Sequence, residues 1–441
     1  MSEKGVDLST YLNQARQAPS PAPEGSVHEV VGMLVEVVGV RAALGDELEA
    51  RLDGRTLPLE VVGFRHGKLL TAPLGSTAGV LPGAPVRRRH APLVAAGPAL
   101  LGRVLDAFGQ PLDGKPAPVC PHKVPLLASP PSPFTRRPVH RPLETGVRVL
   151  DSMLALGLGQ RVGLFAGTGV GKSTLLGMLC RRAKVDVTVV GLIGERGREV
   201  GDFVRESLGP EGLATSVVIA ATSDMPPLVR ARGALRATAV AEYFRAQGKN
   251  VLLVMDSVTR YAMALRETTS ATGEPPVTKG YTPSVFAALP ALLERTGNDA
   301  GPGSITAVYT VLVEGDDLND PIADASRGIL DGHVVLSRAL AERGLFPAVD
   351  VLKSVSRVMP AVCEPTHLRH ASAARELMGA HREAADLIQI GAYVKGSDPR
   401  VDAAIAALPA LEGLVKQGLG EASSRQASLA ALAAVVSKGA R

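Results

Sequence analysis

The segment Arg161-Val-Gly-Leu-Phe-Ala166-Gly-Thr-Gly-Val-Gly171-Lys172-Ser173-Thr174 carries the residue types needed to hold a phosphate chain. An apolar run enters a glycine-rich turn, and a helical pattern begins at Lys172. Gly167, Gly169 and Gly171 lack a Cβ, which lets backbone N–H groups converge on phosphate oxygens. The helix beginning near Lys172 turns its positive dipole end toward the same anion. Lys172 reaches for the β- and γ-phosphates, and the Ser173 hydroxyl is offered to Mg²⁺. The pattern is that of a P-loop with Ala166 in place of the first glycine. It assigns Gly167, Thr168, Gly169, Val170, Gly171, Lys172, Ser173 and Thr174 to ATP. The alternative is a glycine-rich turn without a ligand; the strand before it and the helix after it favour the nucleotide.

Two acids stand where they could serve hydrolysis. Val251-Leu-Leu-Val-Met-Asp256 is a buried strand ending in a carboxylate. In open α/β sheets, such strand ends open into the ligand crevice. Asp256 is therefore expected to hold Mg²⁺ through its water shell, although an aspartate here also suits a helix cap. Glu195, in Gly194-Glu-Arg-Gly-Arg-Glu199, follows the apolar run Val185–Ile193 and could polarise an attacking water. By pattern alone, that charged stretch also reads as a solvated turn.

These groups need a scaffold, and residues 150 to 360 supply one. Strand patterns at Arg161–Ala166, Val185–Ile193, Ser216–Ala220, Val251–Asp256, Ser304–Val313 and His333–Leu336 alternate with helical patterns. The helices are expected at Lys172–Arg182, Leu228–Ala246, Val258–Arg266, Val285–Arg295 and Ile322–Leu330. This alternation implies a parallel sheet covered on both faces, an α/β fold with a RecA-like P-loop core. Ahead of it, short β-rich runs from Val27 to about Arg89 predict a small β-barrel, with a hairpin at Asp53-Gly54. The basic run Arg87 to Arg89 reads as a solvated strand end. The proline-rich stretch 115–142 must stay extended and is expected to cross the core surface. After about 365, alanine- and leucine-rich stretches at 371–389, 401–416 and 424–438 predict a helical domain. The expected division is a flexible N-terminal segment 1–25, a barrel 26–93, a RecA-like domain 94–365 and a helical domain 366–441.

Composition sets broad limits. At 441 residues, with 46% hydrophobic and 21% charged residues, the chain is long enough for two or three globular domains. Its net charge of +5 suits an acidic or anionic partner surface without arguing for nucleic acid. Three dispersed cysteines, Cys120, Cys180 and Cys363, fit a reducing compartment rather than a disulfide framework or zinc site. With no apolar run in MSEKGVDLST, a secretory signal peptide is not expected. The run Val30–Val40 contains Glu36 and is too short to span a bilayer, so a cytoplasmic location is expected.

In order along the chain stand GLFAGTGVGKST, GERGREV, VLLVMDSVTRYAMALRE, GSITAVYTVLVEGDDLNDPIADASRGILDGHVVLSR and LFPAVDVLKSVSRVM. Together they closely resemble the export ATPases of flagellar and type III secretion systems, relatives of the rotary ATP synthase catalytic subunits. The match runs from about Val27 to Leu419, with LIQIGAYVKGSDP supporting it. The segments Val313-Glu314-Gly315-Asp316-Asp317 and Ile329–His333 read as the export branch.

The resemblance implies a homohexameric ring with sites between subunits, working peripherally at the inner face of the bacterial plasma membrane. It places Glu195 as the catalytic glutamate, Arg196 beside it in the site and Arg260 near the γ-phosphate. Phe346 takes the adenine-stacking position, where the family often has tyrosine; the aromatic face survives the change. Arg357 resembles an arginine finger reaching the next subunit's site. Implied partners are a stator or regulator at the N-terminus, a coiled-coil stalk protein, export-gate membrane proteins, and secreted substrates with their chaperones. Within residues 1–25, Val6, Tyr11 and Leu12 could form one apolar stripe for such a contact.

Three other readings share parts of this pattern. A catalytic subunit of a proton-coupled rotary ATPase has the same barrel, core and helices. A hexameric RNA helicase or terminator would need basic loops bearing aromatics. With 3% aromatic residues and no tryptophan, no nucleic acid partner is expected. A non-catalytic ring subunit usually lacks the acid found here as Glu195.

Overall fold

The computed structural model describes residues 24–439 apart from His90, Glu314 and Asp316. The apolar stripe near the N-terminus therefore lies outside the described residues, as do two residues of the Val313–Asp317 signature. The chain forms two compact units, divided between Ala91 and Pro92.

The first unit is a closed six-stranded barrel. Its strands are β1 (Gly25–Val31), β2 (Leu34–Val38), β3 (Glu47–Leu52), β4 (Arg55–Arg65), β5 (Lys68–Pro73) and β6 (Pro85–Arg88). Alternation fills the interior: Leu57, Leu59 and Val61 of β4 point inward beside Leu48, Ala50 and Val86. Asp53-Gly54 is the expected hairpin turn, with Leu52 opposite Arg55 and Gly54 at φ +73°. The basic run is tied down by ion pairs. Arg87 and Arg89 meet Glu49 at 2.8 and 3.2 Å, and Arg88 meets Asp46 at 2.8 Å.

The second unit opens with a two-stranded ribbon of β7 (Leu93–Ala96) and β9 (His122–Pro125). Between them runs β8 (Arg103–Asp106), and the nucleotide strand β10 (Arg161–Ala166) follows. The later strands are β11 (Val187–Ile193), β12 (Ser216–Ala221), β13 (Asn250–Asp256), β14 (Gly297–Asn298), β15 (Ser304–Leu312), β16 (Gly332–Val335) and β17 (Val355–Ser356). The sheet order is β17-β16-β10-β15-β13-β11-β12-β8, with β14 paired to β15. From β16 to β8 the pairing is parallel, while β17 and β14 add antiparallel margins. All residues of β11 and β12 are buried, as a sheet covered on both faces demands. The six expected strands all form. The short β8, β14 and β17 were not anticipated, because two- to four-residue strands carry no periodic signal.

The helices are α1 (Arg148–Met153), α2 (Lys172–Arg182), α3 (Gly197–Asp202), α4 (Gly209–Ala214), α5 (Pro227–Ala246), α6 (Val258–Ala271) and α7 (Pro283–Leu293). They continue with α8 (Pro321–Ile329), α9 (Arg338–Glu342), α10 (Met359–Val362), α11 (Pro365–Gln389), α12 (Pro399–Val415) and α13 (Arg425–Gly439). Local chemistry sets their starts. Ser257, Asp320 and Asp398 accept from N–H groups of α6, α8 and α12, and proline occupies the first turn of α5, α7, α8, α11 and α12. The helices α11 to α13 close the chain, and Ala371, Ala407, Leu411, Leu414 and Leu432 join the same apolar core as Val149, Leu150 and Met153.

The proline-rich stretch is pinned to the core by charge. Arg136 donates to Thr296 O at 2.7 Å, Arg137 to Gly303 O at 2.8 Å, and buried Arg295 donates back to Leu126 O at 3.0 Å. Among the described residues, no helix is long and apolar enough to cross a membrane.

Candidate nucleotide site

Where β10 ends at Ala166, the chain turns sharply before α2. Gly169 and Gly171 have φ of +78° and +89°, a region that L side chains rarely adopt. Val170 between them is buried in the apolar core, so the turn is anchored while Gly169 stays open. Gly171 stands at the N-cap of α2, where no side chain caps the helix. The first N–H groups of α2 are thus available to an anion.

Three parallel strands deliver the charged groups beside this turn. Asp256, the last residue of β13, is 3% exposed. Its Oδ1 accepts from Thr310 Oγ1 of β15 and from Lys172 Nζ, each at 2.6 Å. The cap of α6 falls to Ser257, whose Oγ accepts from Arg260 N at 3.2 Å. Glu195 follows β11 and is fixed through its carbonyl, which accepts from Ser223 N at 3.0 Å. Its Oε1 lies 3.4 Å from Lys172 Nζ, so the ammonium bridges two carboxylates.

Gly194, at φ +70°, makes the turn possible; a Cβ there would lie 2.9 Å from Arg260 Cβ. Arg260, in the first turn of α6, has a buried Nε with no hydrogen-bond partner among the described residues. Arg196 stands at the N-cap of α3, its side chain 83% exposed, with Nη1 3.4 Å from Glu199 Oε1.

The electrostatics follow from burial. Burial pushes the Glu195 carboxyl up to about 7; Lys172 opposes this, while Asp256 and Glu199 reinforce it. Glu199, hydrogen-bonded to Glu195, is shifted down. Burial alone would lower the Lys172 ammonium, but the Asp256 and Glu195 charges outweigh it and raise it.

The cavity encloses about 530 Å³, a size that suits a small-molecule ligand. Of the residues expected from sequence, Gly167, Thr168, Gly169, Gly171, Lys172, Ser173, Thr174, Glu195, Arg196, Asp256 and Arg260 line it. Val170 contributes its backbone to the turn but not its side chain to the wall. The Phe346 ring lies outside, against the turn: a Cβ on Gly171 would be 3.2 Å from its Cδ1. Arg357 is also outside, following β17 on the sheet margin. It is exposed, and its guanidinium lies near Leu330 O and Arg327 O at 3.3 and 3.4 Å.

Sequence reasoning did not single out Glu199 or Thr310. No helical spacing signals the first, because Glu195 lies ahead of the helix that begins at Gly197 and the two acids do not share its face. The charged stretch after Glu195 is indeed helical from Gly197, which corrects the turn reading.

The residues fit a magnesium-bound triphosphate. The turn offers a Cβ-free cradle, since nothing stands within 4 Å of a Cβ placed on Gly169. Ser173 and Asp256 are hard oxygen donors of the kind Mg²⁺ prefers. Arg260 adds a cationic side chain whose buried Nε has no hydrogen-bond partner among the described residues.

Known proteins resemble this chain over most of its length. Residues 146–356 match the nucleotide-binding domain of the ATP synthase alpha/beta family. Residues 363–434 match the T3SS EscN ATPase C-terminal domain. The flagellum-specific ATP synthase of Pseudomonas aeruginosa is 50% identical, covering 98% of this chain and 97% of its own. The type 3 secretion system ATPase of Xanthomonas euvesicatoria is 48% identical over 93% of each chain. The structure of the assembled ATPase EscN from enteropathogenic E. coli superposes with a TM-score of 0.89 at 42% identity, covering 93% of this chain and all of that one. EscN in complex with its central stalk EscO superposes with a TM-score of 0.86 at 41% identity over the same share of this chain.

Proposed function

We propose that this chain, which belongs to the flagellar and type III secretion export ATPases within the ATP synthase alpha/beta family, hydrolyses Mg–ATP as a homohexameric ring. The observation that carries the reading is one cavity holding a P-loop lysine between two strand-end carboxylates. Lys172 and the N–H groups of Gly167 to Thr174 hold the phosphates. Ser173 and Asp256 hold the cation and its water shell. A bound Mg²⁺ would supply charge neutralisation on the phosphate oxygens. Glu195, when ionised, accepts a hydrogen bond from water and orients it for in-line attack. Arg260 and Arg196 supply positive charge on the walls, and Phe346 stacks on the base. Catalysis is then positioning plus electrostatics.

Arg357 lies outside its own chain's cavity, which supports its service to a neighbour's site. An arginine finger is worth on the order of 10³–10⁵ in rate, or about 4–7 kcal/mol of barrier. A ring of one kind of chain would use each subunit's Arg357 in the next subunit's cavity.

The ring would energise export through a flagellar or type III apparatus by chaperone release, substrate unfolding and turning of a central stalk. The solved assembly of EscN with EscO is the nearest support for oligomer and stalk. On this reading the ring works in the cytoplasm against the inner membrane face. Residues 1–25 meet a stator protein, 26–93 form the barrel domain, 94–365 the motor and 366–441 the helical domain. Export-gate proteins, substrates and chaperones are the further partners. The test is turnover in Lys172→Ala and Glu195→Gln. Both are expected to lose ATPase activity, the first with its nucleotide affinity; near-normal turnover in either contradicts the assignment.

A further inference from the structure

The chain leaving α12 meets three parts of the nucleotide core within a few residues. Arg182, the last residue of α2, donates from Nη2 to Leu419 O at 2.6 Å. Arg148, the first residue of α1, donates from Nε to Leu414 O at 3.2 Å and pairs with Glu421. Between these contacts lies Gln417, 3% exposed. Its Oε1 accepts from Arg148 N at 2.7 Å. Its Nε2 donates to Gly146 O at 2.9 Å and to Glu421 O at 3.0 Å. Its backbone N–H donates to Phe346 O at 2.8 Å.

The amide has one sensible orientation. Exchanging its ends would set an oxygen against two carbonyls and an NH₂ against an N–H. A buried glutamine is a costly way to fill space unless its bonds are made. Here both ends of the amide are bonded, to the start of α1, to Gly146 and to Glu421, and the backbone N–H beside it holds the carbonyl of Phe346, whose ring rests on the P-loop turn.

We infer that Gln417 is a positioning residue for the nucleotide base, pinning Phe346 beside the P-loop and tying that face to the C-terminal helices. The inference rests on the proposed role of Phe346 as the base-stacking residue. Gln417 is not on the wall of the phosphate cavity. It therefore governs affinity that depends on the base and not affinity that depends on phosphate alone.

Equilibrium binding of Mg–ADP and of inorganic tripolyphosphate to the full chain separates the two. Gln417→Glu keeps the size but turns an oxygen toward the Gly146 and Glu421 carbonyls. Gln417→Met keeps the bulk, removes the side-chain bonds that fix the backbone N–H against Phe346 O, and carries the test if the glutamate variant does not fold. Either should weaken Mg–ADP about tenfold and change tripolyphosphate by less than about twofold. Equal weakening of both ligands, or no weakening of Mg–ADP, overturns the inference. Phe346→Ala is the control for the underlying reading. If it alone shows the split, the role of Gln417 falls and base stacking stands. If it shows none, base stacking fails and takes this inference with it.

Discussion

A carboxylate can accept a hydrogen bond from attacking water only while ionised, and burial pushes the Glu195 carboxyl up to about 7. Turnover should therefore rise with pH through about 7, and a pH–rate profile of the wild-type chain checks this. The same shift has a stability consequence. A glutamate in an unfolded chain ionises near 4.3, so between about 4.3 and 7 the folded chain holds the extra proton. That stabilisation is fully present below the unfolded value and lost as pH rises through 7. Glu195→Gln cannot ionise, so it should melt higher than wild type at pH 8 and lose the advantage toward pH 5. Thermal melts at the two pH values decide it. At this scale the sequence was informative wherever chemistry needs a residue at a strand end or a helix start: Glu195 and Asp256 could be placed at the first and Lys172 at the second. Thr310 could not, because a threonine within a β-rich run is ordinary until its neighbour strand is known to end in Asp256.

Elements bring these groups together through backbone that only certain residues allow. Gly194 turns at φ +70° with the Arg260 side chain packed over it. Gly194→Ala places a Cβ 2.9 Å from Arg260 Cβ, and a left-handed non-glycine residue costs about 1–3 kcal/mol. The variant should melt several degrees lower and turn over more slowly, since both Glu195 and Arg260 shift. A melt showing no loss would contradict the packing described here. The strands and helices of the core were legible because runs such as Val187–Ile193 are almost wholly apolar and the helices α5 to α8 open on a proline or a capping side chain. The edge strand β8 was not, since Arg103-Val-Leu-Asp106 has only two apolar residues and owes its strand conformation to pairing with β12.

Across the whole molecule, the position of Arg357 is the informative fact. An arginine that serves its own chain's cavity should line it, and Arg357 instead follows β17 on the sheet margin. Arg357→Ala should lose turnover by on the order of 10³-fold or more while keeping nucleotide affinity. Mixing it with Glu195→Gln should restore activity, because some interfaces then join an intact glutamate to an intact arginine; mixed rings that stay inactive would count against service in trans. The ordered motifs made the architecture readable, but Gln417 lay in an unremarkable Val-Lys-Gln-Gly stretch, and only folding brings it to Phe346. The most direct measurement of the central claim is inorganic phosphate release by the purified chain with Mg–ATP, across protein concentrations that span assembly. Release should grow more than proportionally with concentration in wild type and be lost in Glu195→Gln. Wild-type protein that releases no phosphate at any concentration, or a glutamine variant that releases it as fast as wild type, would contradict that claim.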